Sequence, residues 1–166
     1  ATDGEALGMI DPVSGAFSRI GTIGSGQGSA GSQNFTGVGG LSFDPFQGRL
    51  FGIVQRDNAD DLVIEIDPLT GMAVQGAFGP RSDYLAVGAD LPQVDDIAIN
   101  PVDGGLYAVG TADGTSARMA RIDRTFGTVE EVRDLGTARL NGLSFFNNGE
   151  LFASTATDVP LLINLD

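Results

Sequence analysis

One repeated phrase constrains this chain more than any other feature. Ile10-Asp11-Pro12 returns as Ile66-Asp67-Pro68 and again as Ile122-Asp123, so the three aspartates stand 56 residues apart. Gly15, Gly71 and Gly127 follow at the same offset. A second phrase repeats upstream of the first. Gly40-Leu41-Ser42-Phe43-Asp44-Pro45 returns as Asp96-Ile97-Ala98-Ile99-Asn100-Pro101 and as Gly142-Leu143-Ser144-Phe145. Each copy leads through a turn into Leu50-Phe51-Gly52, Leu106-Tyr107-Ala108 or Leu151-Phe152-Ala153. Self-similarity at a period of this size marks a stack of supersecondary units, each burying its apolar face against the next.

The unit contains four short apolar runs, and these are the predicted strands: Leu41–Phe43 (a), Leu50–Val54 (b), Leu62–Ile66 (c) and Ala73–Phe78 (d). Strands a and b are nearly continuously apolar, as strands covered on both faces must be. Later strands carry more polar positions, as in Thr128-Val129-Glu130-Glu131-Val132. Inner strands wedged between neighbours and wetter outer strands are what a radial blade requires. The turns agree. Asp-Pro-x-x-Gly at Asp11–Gly15 and Asp67–Gly71 suits a type I turn, with proline presetting φ and glycine taking a left-handed position. Asp44–Gly48, Asn100–Gly104 and Asn147-Asn148-Gly149 repeat that chemistry between a and b. The expected fold is all-β: one domain over 1–166 of β-propeller blades, each of four antiparallel strands. Its units are 1–24 (a half blade), 38–79, 94–136 and 140–166 (an incomplete blade). That makes about three blades, whereas closed propellers typically have four to eight. A piece of a longer propeller, a ring closed by a second chain and an open stack all satisfy the count. Unpaired blade edges favour association with another chain.

The pattern h-x-F-D-P-x-x-G-x-L-F-G followed by h-x-x-I-D-P-x-T-G, with h an apolar residue, resembles the blades of bacterial, often extracytoplasmic propellers of the NHL and YVTN kind. The resemblance covers most of the chain. It implies a propeller fold and a secreted, periplasmic or cell-surface location. Residues 1–8 show neither a basic nor an apolar leader segment, so that location rests on the resemblance. It implies little about activity, because propellers host enzymes, lectins and scaffolds alike.

Charge and missing residue types exclude more than they assign. Twenty-two acids stand against nine arginines and no lysine, a net charge of −13. Such a field repels phosphate backbones and anionic lipid, so neither nucleic-acid binding nor membrane insertion is expected. No apolar run approaches the roughly 18 residues of a spanning helix. Cysteine, histidine and tryptophan are absent. Disulfides, histidine-based triads and zinc or haem sites of the usual kinds therefore fall away. The run Gly21–Gly31 contains Gly24-x-Gly26-x-Gly28 but opens no helix, so it reads as a flexible inter-blade loop and not a dinucleotide cradle.

Loop lengths point to one face. The a–b and c–d turns are short, whereas the long connections are all d–a or b–c, and in a four-stranded blade these emerge together. Elaborated loops on a rigid scaffold are where binding concentrates. Asn34, Arg81, Tyr84, Asp95 and Asp96 are the predicted ligand or partner contacts there. Asp57, Asn58, Asp60 and Asp61 offer hard oxygen ligands of the type that suits calcium, and Asp113 adds a further loop carboxylate. Asp11, Asp67 and Asp123 recur at one turn and read as turn caps. Arg118, Arg121 and Arg124 read as outer-edge charges that blunt strand pairing. The functional expectation is a non-catalytic binding or structural module, without a required cofactor, that meets a protein partner or its own kind. The alternative is a carboxylate- or metal-assisted hydrolase or lyase at the channel mouth.

Overall fold

A computed structural model describes residues 5–88, 90–91, 93–111, 116–126, 128–136, 139–155 and 162–164. Gly127 and Asp113 lie outside them. The described residues form strands and turns with no helix. β1 (Ala6–Ile10) and β2 (Phe17–Thr22) make an antiparallel pair, the expected half blade. The first full blade is β5 (Val38–Asp44), β6 (Arg49–Val54), β7 (Leu62–Ile66) and β8 (Tyr84–Ala86), hydrogen-bonded in that order. The second is β9 (Gln93–Ile99), β10 (Leu106–Thr111), β11 (Ala117–Ile122) and β12 (Val129–Asp134). A third sheet has three described strands, β13 (Leu140–Phe145), β14 (Leu151–Thr155) and β15 (Leu162–Asn164).

The strand period of two explains the apolar runs. Along β6, Phe51 and Ile53 enter a core shared with Ile97, Ile99, Leu106 and Ala108 of the next blade. Val54, with Leu50 beside it, faces the other way, onto Leu7 and Ile23 of the half blade. Along β10, Leu106 and Ala108 face back toward β6, whereas Val109 and Tyr107 pack on Leu140, Leu151 and Ala153. Each inner strand thus feeds two cores, so both of its faces must be apolar. The core is a row of three inter-blade layers.

First strands lie side by side at the centre and are stitched by polar bonds. The Ile99 amide donates to Ser42 Oγ at 2.9 Å, and the Leu143 amide donates to Asp96 Oδ2 at 2.8 Å. The turns behave as their composition demands. Asp11 Oδ1 accepts the amides of Val13 and Ser14, Asp67 Oδ1 that of Leu69, and Asp123 Oδ1 those of Thr125 and Phe126. Gly15 and Gly71 close their turns at φ 72° and 74°.

Two elements depart from expectation. Residues 73–78 do not form the fourth strand of the first full blade: Ala73 makes one bridge to Ile66, and Gly76 at φ 67° turns the chain away. Tyr84–Ala86 returns to fill that position. The glycine-rich run is also not a loose loop. It folds into a hairpin, β3 (Ser25–Gly28) with β4 (Gly31–Asn34), lying against β8. A Cβ on Gly28 would stand 2.6 Å from the Tyr84 ring, so glycine is what permits the approach. Asp83 secures it, accepting the Gln27 amide at 2.7 Å and the Gly76 amide at 2.6 Å. Arg124 is no edge charge either. It crosses to the preceding blade and pairs with the buried Asp44 at 2.6 Å.

Candidate functional site at the blade mouth

The first strand of each blade breaks register at the same place. Pairing skips Gly39 between Val38 and Gly40, Asp95 where β10 steps from Val109 to Gly110, and Asn141 between Leu140 and Gly142. A bulge inserts one unpaired residue and re-aims it, and bulges collect beside functional sites. Here they occur at the end of the central strands that the long connections surround. Of the three bulged residues only Asp95 is charged.

Asp95 faces a cleft of about 410 Å³ lined by Thr36, Gln55, Arg56, Asp57, Asp61, Gln93 and Arg139, among others. Its carboxylate is almost enclosed and engages Arg139, whose Nε lies 2.9 Å and 3.0 Å from the two carboxylate oxygens, while an Nη makes a further short contact. That bond holds the Arg139 guanidinium above its already high range. The b–c connection supplies the opposite wall. Gln55 Nε2 donates to the Val94 carbonyl at 2.9 Å, tying the connection to β9. Arg56 is fixed by the Asp60 carbonyl at 2.7 Å and by Gln33 Oε1 of the hairpin at 3.2 Å.

Asp61 is buried beneath this wall. Its Oδ1 accepts the Arg56 amide at 2.7 Å and its Oδ2 the Val94 amide at 2.6 Å. Burial pushes its carboxyl up, against the pull of the two amides and the Arg56 charge. Asp96 points away from the cleft, into the junction with the third sheet, where the amides of Leu143 and Ile97 fill its two oxygens. Burial raises that carboxyl too. Adjacent strand residues diverge as the pleat requires.

Of the predicted contacts, the structure therefore gathers Asp57, Asp61 and Asp95 in one cleft. Asn34 ends the hairpin strand β4 in solvent, outside the cleft lining. Arg81, at φ 66°, lies in the tight turn before β8. Tyr84 is a correction: it is 1 % exposed, and its hydroxyl donates to the Gly31 carbonyl and accepts the Ala30 amide, both at 2.9 Å. It holds the hairpin down and cannot meet a ligand. The proposed calcium ligands also diverge. Asp57 and Asn58 are exposed, and both oxygens of Asp61 are occupied from below. Among the described residues, no group of three or more acidic side chains is placed to hold a metal ion. Sequence reasoning missed Arg56, Gln93 and Arg139. The repeat carries a positional signal only for Asp95: residues 39, 95 and 141 directly precede the repeated phrase of the first strand and differ in every copy.

No protein-family model matches the chain, and no curated protein matches it. Solved structures do. Hydrazine synthase of Kuenenia stuttgartiensis aligns over 96 % of this chain at 13 % identity, with a TM-score of 0.56. A bifunctional GH43-CE protein of Bacteroides eggerthii aligns over 94 % at 16 % identity and 0.54. GH43B of the Bacteroides ovatus xyloglucan locus aligns over 91 % at 17 % identity and 0.52. The chain spans 55 %, 20 % and 32 % of those three structures in the same order. At such identities the likeness concerns architecture alone: the chain is an all-β array of propeller blades.

Proposed function

We propose that this chain is a non-catalytic binding module, extracellular or on the cell surface in keeping with its NHL- and YVTN-like repeats, and that the blade-mouth cleft is its contact site. One observation carries the reading. The enclosed carboxylates around the mouth are already committed: Asp95 to Arg139, Asp61 to two amides, Asp96 to two amides. A glycosidase needs two carboxyl groups facing one bond, and an activated base needs a free oxygen near the reacting atom. Asp95 and Asp96 diverge, and Asp61 lies beneath the wall. What remains at the surface of the cleft is a set of donors and acceptors, the held Gln55, Gln93 and Arg56 and the exposed Asp57, suited to a polar ligand or a partner's polar loop.

The test has two arms. A panel of chromogenic glycosides and esters should show no turnover. Turnover that Asp95→Asn abolishes without unfolding the chain would establish the hydrolase alternative instead. In a binding screen of neutral oligosaccharides and short peptides, a hit should weaken at least tenfold in the double variant Arg56→Ala/Gln93→Ala. A hit indifferent to that variant places the contact elsewhere. The reading requires no cofactor. Calcium held through Asp57 and Asp60 would raise the melting temperature on titration, and a flat titration removes it.

A further inference from the structure

The face opposite the cleft is built from the short turns, and each of six of them shows an apolar side chain to solvent. Val13, Leu69 and Phe126 occupy turns that follow third strands of blades, and Phe46, Val102 and Phe146 occupy turns between first and second strands. Their exposure runs from 58 % to 96 %. The turn chemistry places four of them at the apex: Asp11, Asp44, Asp67 and Asn100 each accept, through Oδ1, the amide of Val13, Phe46, Leu69 and Val102 respectively. That bond uses the backbone of the apical residue and makes no demand on its side chain, so serine or asparagine would serve as well. Three of these turns, those of Phe46, Val102 and Phe146, adjoin one another. Phe46 and Val102 flank one groove of about 230 Å³, with the Asp44–Arg124 pair in its lining. A Cβ on Gly149, beside the Phe146 turn, would stand 3.1 Å from Val102. Three of the six are phenylalanines, of about 150–250 Å² each, so this face exposes several hundred Å² of apolar side chain in all, and the adjoining Phe46, Val102 and Phe146 turns form its continuous part.

The charge between the tips is negative. Asp11, Asp67, Asp103 and Asp123 stand in these turns. Amides hold the Asp11 and Asp67 carboxyls below the usual range (Ser14 and Val13 for the first, Leu69 for the second), so both are ionised at neutral pH. Arg121 and Arg124, which line one cleft with Asp103 and Asp123, are engaged within the chain, Arg121 with Glu130 and Arg124 with Asp44, and Arg49 pairs with Glu65. An anionic lipid surface would be repelled, and a second copy would set aspartates against aspartates.

We propose that the short-turn face docks a basic amphipathic segment of a partner protein, its apolar residues seated on the phenylalanine and valine tips and its lysines or arginines beside the turn aspartates. The surface is separate from the blade-mouth cleft, and the two readings stand or fall independently.

The probe is a fluorescently labelled amphipathic helix of leucine and lysine, titrated with the full chain at physiological salt and followed by anisotropy. An oligolysine of equal charge is the control. The helix should bind at least tenfold more tightly than oligolysine. Phe46→Ser/Val102→Ser and Leu69→Ser/Phe126→Ser should each weaken it at least tenfold while leaving the melting temperature within a few degrees, because these side chains are solvent-facing. Equal binding of oligolysine, or of the serine variants, overturns the proposal in favour of bulk charge. Dimerisation by light scattering, or association with phosphatidylcholine vesicles, that the serine variants abolish overturns it in favour of a second copy or of neutral lipid.

Discussion

Asp44 shows how one residue can serve a turn and a blade junction together. Its Oδ1 accepts the amides of Phe46 and Gln47, and its Oδ2 receives Arg124 from the next blade. The Arg124 guanidinium also lies 5.5 Å from the centre of the Phe51 ring. Arg124 stands where Pro12 and Pro68 stand in the other copies. That departure from the repeat is the visible trace of a contact spanning two blades. Burial pushes the Asp44 carboxyl up, but the Arg124 bond and the turn amides outweigh it and leave the carboxyl below its ordinary value of 3.8. A depressed carboxyl stabilises the fold above its unfolded pKa and loses that contribution as pH falls through the folded value. Asp44→Asn should therefore destabilise the chain by about 1.5–3 kcal/mol at neutral pH, the range for a hydrogen bond to a charged group. The gap from wild type should close below pH 3.8, as urea unfolding across an acid series would measure. A constant gap would place the effect in turn geometry alone. Asp61 and Asp96 contribute with the opposite sign. Their raised carboxyls cost stability when ionised, and that cost is relieved as pH falls toward 3.8.

At the scale of elements, the least legible part of the chain is the hairpin of β3 and β4. Gly-Ser-Gly-Gln-Gly-Ser carries no apolar alternation, so nothing local marks it as strand. It becomes one because Tyr84, Phe35 and Asp83 provide a surface that only glycine can approach: a Cβ on Gly26 would stand 2.6 Å from Asp83 Cβ and 2.8 Å from the Phe35 ring. The three-residue β8 depends on the same contact. Gly28→Ala should lift the hairpin at a cost of about 1–3 kcal/mol, as overpacking does. Hydrogen exchange should then show faster exchange at Ala30 and Gln27, the amides bonded to Tyr84 and Asp83. Unchanged protection there would mean that the backbone absorbs the methyl. Because Gln33 reaches Arg56, the same variant should also loosen one wall of the cleft.

The whole molecule is a row of blades whose three cores lie between sheets, so stability is a sum of neighbour interfaces and depends little on any sheet alone. Among the described residues, β1 pairs only with β2, and Met9, Ile10 and Phe17 in these strands are exposed. An open apolar edge of this kind invites another strand. Light scattering should give a mass above the 17.1 kDa of one chain, and Ile10→Lys should lower it. A monomer insensitive to that change would remove edge pairing from the account. The 56-residue repeat was enough to read the first three strands of each full blade, the turn caps at Asp11, Asp67 and Asp123, and the blade stacking, because each follows from side-chain period and turn chemistry within a few residues. It also placed Asp57, Asp61 and Asp95 on one face, because loop length alone decides which connections emerge together. The fourth strand of the first full blade, the hairpin over Tyr84, the Asp95–Arg139 and Asp44–Arg124 pairs and the divergence of Asp95 from Asp96 came only with the packed fold. Each depends on groups from different blades, or from distant parts of one, meeting at a bulge, a glycine or a shared core, and no local pattern encodes which distant surface a side chain will meet.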